Sequence, residues 1–390
     1  MPPPARAMSE RPGRANVAVL VGLDFGAGGY AESLEELRLL AESAGLRPRA
    51  LIQGKRQRPD SALYAGSGKV EEIEAAVREH NAVLVVFNHE LSPAQQRNLE
   101  KALQCPVLDR SGLILGIFAR RARSNEGKLQ VELAQLEYAS TRLVRGWTHL
   151  ERQRGGRGFL GGMGETQIEV DRRLIGNRVK VLKDKLVQFK RRRDVQRRAR
   201  VRGEVLSVSL VGYTNAGKST LFNALTHAGS YTADQLFATL DTTTRRLYLE
   251  AAGNVVLSDT VGFIRDLPHG LVAAFRATLE ETIHADLLLH VVDASSGVRE
   301  PQIAAVNTVL ADLGADAIPQ VLVWNKIDLT GVPPGLDRDE YGKIRRVCLS
   351  AKTGAGLGFL RTALTEVATT KRSAAINQDL EQHHGNTHVT

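Results

Sequence analysis

Cysteine is almost missing from this chain: Cys105 and Cys348 are the only two among 390 residues. They lie far apart and lack metal-ligand spacing. That argues against a disulfide framework or a zinc site and fits a reducing cytoplasm. No apolar run approaches the roughly 18 residues of a membrane span. The opening stretch, MPPPARAMSERPGRAN, has no apolar core. It is expected to be a disordered tail, neither a secretory signal nor an anchor. His149, His269, His284 and His290 are scattered and make no metal set, and His290 reads as a packed strand residue. Acidic side chains are in deficit, 43 against 52 Lys and Arg, for a net charge of +9. Such a balance expects phosphate somewhere, in a nucleotide, a nucleic acid or a membrane surface. The last of these would allow peripheral membrane association.

What is present is enough apolar residue, 43%, for sizeable cores in two or three domains. Residues 17–123 alternate strand-like runs (VAVLVGL, RALIQ, AVLVVF) with amphipathic helical stretches, implying a small, mainly parallel sheet. LSPAQQRNLEKAL opens with Ser92 as N-cap and Pro93 at the first helical position. Gly66-Ser67-Gly68-Lys69 has the look of a truncated phosphate loop, but Val70 stands where Ser or Thr belongs. A glycine turn opening a helix is the better reading, with a second nucleotide site as the alternative.

Residues 124–203 carry two apolar stripes, Leu129, Leu133, Leu136, Leu143 and Ile175, Val179, Leu182, Leu186, Phe189. Each is a seam for another helix. The basic glycine-rich stretch RQRGGRGFLGGMGE lies between them, so an antiparallel helical hairpin is expected, with Trp147 anchoring its base. From Lys183 to Arg202 ten Lys or Arg face two Asp. So one-sided a block points to a polyanion contact rather than a solvated face. Residues 204–370 form a second β/α alternation, and the His-, Gln- and Thr-rich stretch 371–390 is expected to be disordered.

Gly212, Gly217, Lys218 and Ser219 fit G-x-x-x-x-G-K-[ST] between an apolar strand and a helix. Glycine lets backbone N–H groups close around phosphate oxygens, and the helix N-terminus adds a favourable dipole. Lys218 would reach the β and γ phosphates, and Ser219 would ligate Mg²⁺. Three further elements follow strands in order. In Asp259-Thr260-Val261-Gly262, Asp259 would hold Mg²⁺ through water and the Gly262 N–H would sense the γ-phosphate. In Asn325-Lys326-Ile327-Asp328, the Asp328 carboxylate would accept from guanine N1–H and the 2-amino group, selecting GTP. Ser350-Ala351-Lys352 would back the base at O6. A switch threonine is expected within QLFATLDTTTRR; Thr239 is the choice, with Thr242, Thr243 and Thr244 as competitors. Phe263 occupies the position after Gly262 where many GTPases place a water-orienting glutamine. A partner or a cation must then complete the site, and Asn215 is a candidate to hold K⁺ against the phosphates. Turnover is expected to be slow alone and stimulated by a partner.

The chain resembles the HflX-type ribosome-associated GTPases, within the translation-factor-like branch. The stretches that carry the likeness are LSPAQQRNLE (91–100), LDRSGLIL (108–115), EGKLQVELAQLEY (126–138), GETQIEVDRRLI (164–175), GYTNAGKSTLFNAL (212–225) and DTVGFIRDLPHGLVAAF (259–275). The resemblance implies an α/β fold: a P-loop GTPase domain preceded by a small parallel α/β domain and the helical hairpin. It also implies binding to the large ribosomal subunit and a role in splitting or rescuing stalled ribosomes under stress; the chain is expected to be a monomer. Its Mg²⁺ ligands fall on Ser219 and Thr239. Its nucleotide contacts fall on Gly212, Tyr213, Thr214, Asn215, Ala216, Gly217, Lys218 and Ser219; on Phe237, Ala238, Thr239, Leu240 and Asp241; on Asp259–Gly262; on Asn325–Asp328; and on Ser350–Lys352. The sequence departs from the family pattern in GFLGGMGETQ, where GTRGPGETQ is usual, and at Thr242, where proline is usual. The readings set against this one are a nucleotide-gated RNA-binding factor and a stress regulator acting through a protein partner.

Overall fold

The computed structural model describes residues 16–385 apart from 27, 144–166, 203–204, 227–235, 238, 241, 266–278 and 280–281. These fall into two compact units that divide between Leu186 and Val187.

In the first unit, β1 (Val17–Asp24), β2 (Arg47–Lys55), β3 (Leu84–Phe87) and β4 (Val107–Leu108) form a sheet in the order β2-β1-β3-β4, with every pairing parallel. Helices α1 (Tyr30–Ser43), α2 (Ser67–Glu79) and α3 (Pro93–Leu103) supply the crossovers. Central strands of such a sheet are covered on both faces, and β3 is buried at every residue. Ser92 caps α3: its hydroxyl accepts from the Gln95 amide while the Gln95 side chain accepts from the Ser92 amide. Gly66 turns at φ +78° into α2. The Lys69 ammonium is held by the Gln53 carbonyl and Glu72.

Helix α4 (Arg110–Arg121) is buried along most of its length and is capped by Asp109, which accepts from the Gly112 amide. Asp109 is fully buried and also accepts from the Leu91 amide, the Tyr138 hydroxyl and Arg142. This carboxylate therefore ties the end of α5 (Asn125–Leu143) to the sheet. On helix α6 (Gln167–Arg202), Leu182 is buried and Ile175, Val179, Leu186 and Phe189 are half-buried, while the other residues from 172 to 190 are exposed. The expected stripe is thus the packed one. Glu132 meets Arg178 and Glu137 meets Lys183. Those pairs advance in the same direction along both helices, whereas neighbours in an antiparallel hairpin step in opposite directions. The stretch 144–166, with the expected glycine-rich tip and Trp147, lies outside the described residues.

The second unit holds a seven-stranded sheet, β10-β11-β9-β8-β5-β7-β6. Its strands are β5 (Leu206–Gly212), β6 (Thr243–Leu249), β7 (Gly253–Asp259), β8 (Leu287–Asp293), β9 (Gln320–Asn325), β10 (Gly335–Arg338) and β11 (Ile344–Cys348). Only β6 and β10 run antiparallel to their neighbours. Helices α7 (Lys218–Thr226), α8 (Arg299–Leu313) and α9 (Leu357–Gly385) accompany the sheet, and α9 packs Leu360, Ala363, Leu364 and Ala368 into the core. The strands β5, β7, β8 and β9 all end on one edge, and the phosphate loop springs from the central β5, where open α/β sheets place ligands. One expectation is corrected here: α9 continues to Gly385, well past residue 370. Residues 371–384 lack proline and glycine, and Lys371, Arg372, Ala374, Ala375, Gln378, Leu380, Glu381 and Gln382 are good helix formers, so propensity favours continuing the helix.

Candidate functional site

The loop from Gly212 to Gly217 owes its shape to sterics. Gly212 lies at φ +147° and Gly217 at φ +92°. A Cβ at Gly212 would run into the Val291 carbonyl oxygen, and one at Gly217 into the Asn325 side chain. Asn215 takes the left-handed conformation at φ +60° and is exposed. A main-chain clamp ties the loop to the strand end beside it: Thr214 N donates to Phe263 O at 2.7 Å and Phe263 N to Gly212 O at 3.1 Å. The Arg265 amide donates to the Tyr213 hydroxyl. Phe263 is 1% exposed, so its side chain belongs to the core and cannot orient an attacking water.

Lys218 opens α7 and is buried, its ammonium donating to Gly212 O at 3.0 Å and Tyr213 O at 2.7 Å. Next to it three oxygens converge. Ser219 Oγ donates to Asp259 Oδ2 at 2.7 Å, Thr239 Oγ1 donates to the same oxygen at 2.8 Å, and the two hydroxyls are 2.7 Å apart. Two hydroxyl protons cannot serve three such contacts. Octahedral Mg²⁺ sets adjacent oxygens about 2.9 Å apart and favours hard oxygen donors. The residues present therefore fit a magnesium ion. Asp259 Oδ1 is buried and has no hydrogen-bond partner among the described residues, leaving a second oxygen for the ion or its water. Thr239 is the threonine that reaches this corner; Thr243 begins β6, and Thr244 pairs with Ser258.

Burial pushes the Lys218 ammonium down to about 8, although Asp259 pulls it the other way. Burial likewise pushes the Asp259 carboxyl up, against the opposing pull of Ser219, Lys218 and Thr239. Both groups are held where charge is costly without a charged ligand, which is how a preorganised polyphosphate site is built.

At the other end of the site Asn325 is a staple. It is 2% exposed; its Nδ2 donates to Ala216 O at 2.9 Å, and its Oδ1 accepts from Ala351 N at 2.9 Å. It thereby joins the phosphate loop, its own loop and the Ser350–Lys352 turn. Lys326 sits at φ +64° with its ammonium 2.7 Å from Asp293 Oδ2. Asp328 lies exposed on a single 3₁₀ turn, Ile327–Leu329, free to meet a base edge. Ser350 is buried, its hydroxyl accepting from the Thr353 amide, and Lys352 is exposed.

Other residues matched to nucleotide contacts turn their side chains inward. Thr260 donates to Leu210 O at 2.6 Å, and Phe237, Leu240, Val261 and Ile327 are buried. Only their backbones are left for a ligand. Ala238 and Asp241 lie outside the described residues. Sequence reasoning missed Asp293 and the Phe263 clamp. Asp293 closes LLLHVVD on the same edge as Asp259 and Asn325, a positional signal that could have revealed it.

A phosphate loop after β5, the Thr239–Asp259 pair at its serine, and an Asn-Lys-Ile-Asp turn after β9 are the marks of a P-loop GTPase. Family models match most of the chain: "GTP-binding GTPase N-terminal" over 31–119, "GTP-binding GTPase Middle Region" over 121–200 and "50S ribosome-binding GTPase" over 207–326. The chain is 54% identical over 360 residues to GTPase HflX of Escherichia coli, covering 92% of this chain and 84% of that one. It is 52% identical over 331 residues to GTPase HflX of Magnetococcus marinus, covering 85% and 76%. The solved complex of SsGBP with GDP is similar in fold at TM-score 0.50 and 24% identity, covering 91% of this chain and 99% of that one. This chain belongs to the HflX family of GTPases.

Proposed function

We propose that the guanine nucleotide held here governs docking of the basic helix α6 on the large ribosomal subunit, in the service of splitting or rescuing stalled ribosomes under stress. The observation that carries this reading is the Ser219–Thr239–Asp259 oxygen cluster. It is where the switch threonine meets the phosphate loop, so loss of the terminal phosphate and its metal would free Thr239. The basic stretch Lys183–Arg202 supplies the polyanion contact, and rRNA is the polyanion the family match points to.

In the reaction, water attacks the γ-phosphorus in line and GDP leaves. Lys218 and the Gly262 N–H hold the transferred group's oxygens, and bound Mg²⁺ would neutralise charge on the phosphates. Asp328 fixes the guanine, and Asn325 holds the two loops that flank it. Phe263 contributes no water-positioning group, which supports slow turnover alone and stimulation by the ribosome. The exposed, left-handed Asn215 is proposed as a K⁺ ligand that adds positive charge at the phosphates. The protein is proposed to act as a cytoplasmic monomer. No helix among the described residues is long and apolar enough to cross a membrane.

Co-sedimentation with isolated large subunits, comparing a non-hydrolysable GTP analogue with GDP, tests the proposal. Retention with the analogue and release with GDP is expected. Equal retention favours plain RNA binding and sinks the switch. GTP turnover measured with and without subunits, in sodium and in potassium, tests the completion of the site.

A further inference from the structure

Thr214 carries a side chain that the site as described does not use. It is 7% exposed, and its Oγ1 is buried with no hydrogen-bond partner among the described residues. A buried hydroxyl left unmatched is costly, so such a group implies a missing acceptor or donor. Its surroundings indicate what is missing. A Cβ built on Gly262 would lie 2.9 Å from both Cα and Cγ2 of Thr214 and 3.0 Å from Lys218 Nζ. Thr214 therefore packs against Gly262 close to Lys218, beside the two groups assigned to the terminal phosphate. Its own amide is already committed to Phe263 O, which leaves the hydroxyl as its remaining donor.

We propose that the Thr214 hydroxyl donates a hydrogen bond to an oxygen of the terminal phosphate of GTP, and so helps distinguish the triphosphate from the diphosphate. The proposal rests on the assignment of this site to guanine nucleotide. The phosphate is rich in lone pairs and has no proton to give at neutral pH, so the hydroxyl acts as donor. GDP has no atom there, and with it the hydroxyl returns to its unmatched state.

The variant Thr214→Val keeps the shape and removes the donor; Thr214→Ser keeps the donor. Affinities for GDP and for a non-hydrolysable GTP analogue are measured on the full chain by fluorescent-nucleotide titration with Mg²⁺ present. A hydrogen bond to a charged acceptor is worth roughly 10- to 100-fold in affinity. Thr214→Val is therefore expected to weaken the analogue by at least about tenfold while GDP affinity stays within about twofold, and Thr214→Ser is expected to restore the analogue. Equal weakening for both nucleotides would show a structural role and overturn the proposal. So would unchanged affinities, with or without a fall in turnover, since the hydroxyl would then act elsewhere. Retained GDP binding certifies the fold of each variant. Failure of the unsubstituted protein to bind either nucleotide would instead reject the site assignment itself.

Discussion

Replacing Asn325 with alanine separates two roles that nucleotide-binding data alone would confuse. If this side chain served only as a contact for the base, its loss would weaken nucleotide binding and leave the nucleotide-free protein untouched. The structure gives it a second task. Its amide holds Ala216 O and Ala351 N, each at 2.9 Å and each buried. Truncation leaves a buried carbonyl and a buried N–H unmatched. Each such orphan costs about 1–3 kcal/mol, and water entering the vacated space recovers part of that. A net loss of about 3 kcal/mol is expected with no nucleotide present. For a unit of this size that corresponds to a fall in Tm of roughly 6–12 °C. The chain has two tryptophans. In a Trp147→Phe background, Trp324 becomes the sole reporter; it lies on β9 directly before Asn325, flanked by Arg346 and Arg299. Urea unfolding of the nucleotide-free protein, followed through Trp324, reads the second unit. Asn325→Asp should be at least as damaging, because a carboxylate cannot donate to Ala216 O. If Asn325→Ala alters apo stability by less than about 0.5 kcal/mol while nucleotide affinity collapses, the staple is refuted.

Two further outcomes follow from buried polar groups. His290 is buried in the middle of β8, its Nδ1 has no partner among the described residues, and burial pushes its pKa down to about 4, against the opposing pull of a bond with Gln320. The unfolded chain, with an ordinary value near 6.5, binds the proton more readily. The stability of the neutral form is complete above that pH and falls as the pH drops towards 4, by at most about 3 kcal/mol. Denaturant titrations between pH 7 and 4 should show this slope flattened in His290→Asn; an unchanged slope removes His290 as its source. Asp109→Ala strips a buried acceptor from Arg142, Tyr138 and two amides, and is expected to destabilise the first unit by about 3–5 kcal/mol. A local unfolding measurement such as hydrogen exchange on α4 and α5 that shows no loss of protection would contradict that reading.

The features legible in the sequence were those fixed by local backbone. The stripe Ile175–Phe189 marked the packed face of α6 because helical period alone sets which side chains share a face. Ser92 and Pro93 marked the start of α3 because capping is a contact within one turn. The α9 extension was misjudged because polar composition suggested disorder where helix propensity and the absence of proline and glycine favoured continuation. The division of the chain inside α6 was not legible either. The helix runs through Leu186 and Val187 without a break, so nothing in the local sequence marks the boundary.

In the site the same boundary holds. By itself the sequence determined where the chain must be glycine, where an ammonium follows a tight loop, and in what order acidic and amide side chains arrive at strand ends. These are properties of spacing and backbone freedom. Only the tertiary structure decided which of several threonines meets Ser219 and Asp259, and that Asn325 spans three loops. It alone showed that Phe263 is a clamp rather than a gap, and that the Thr214 hydroxyl is buried without a mate. Each of these depends on groups far apart in sequence being brought within hydrogen-bonding distance, and such distances are set by packing of the sheet as a whole.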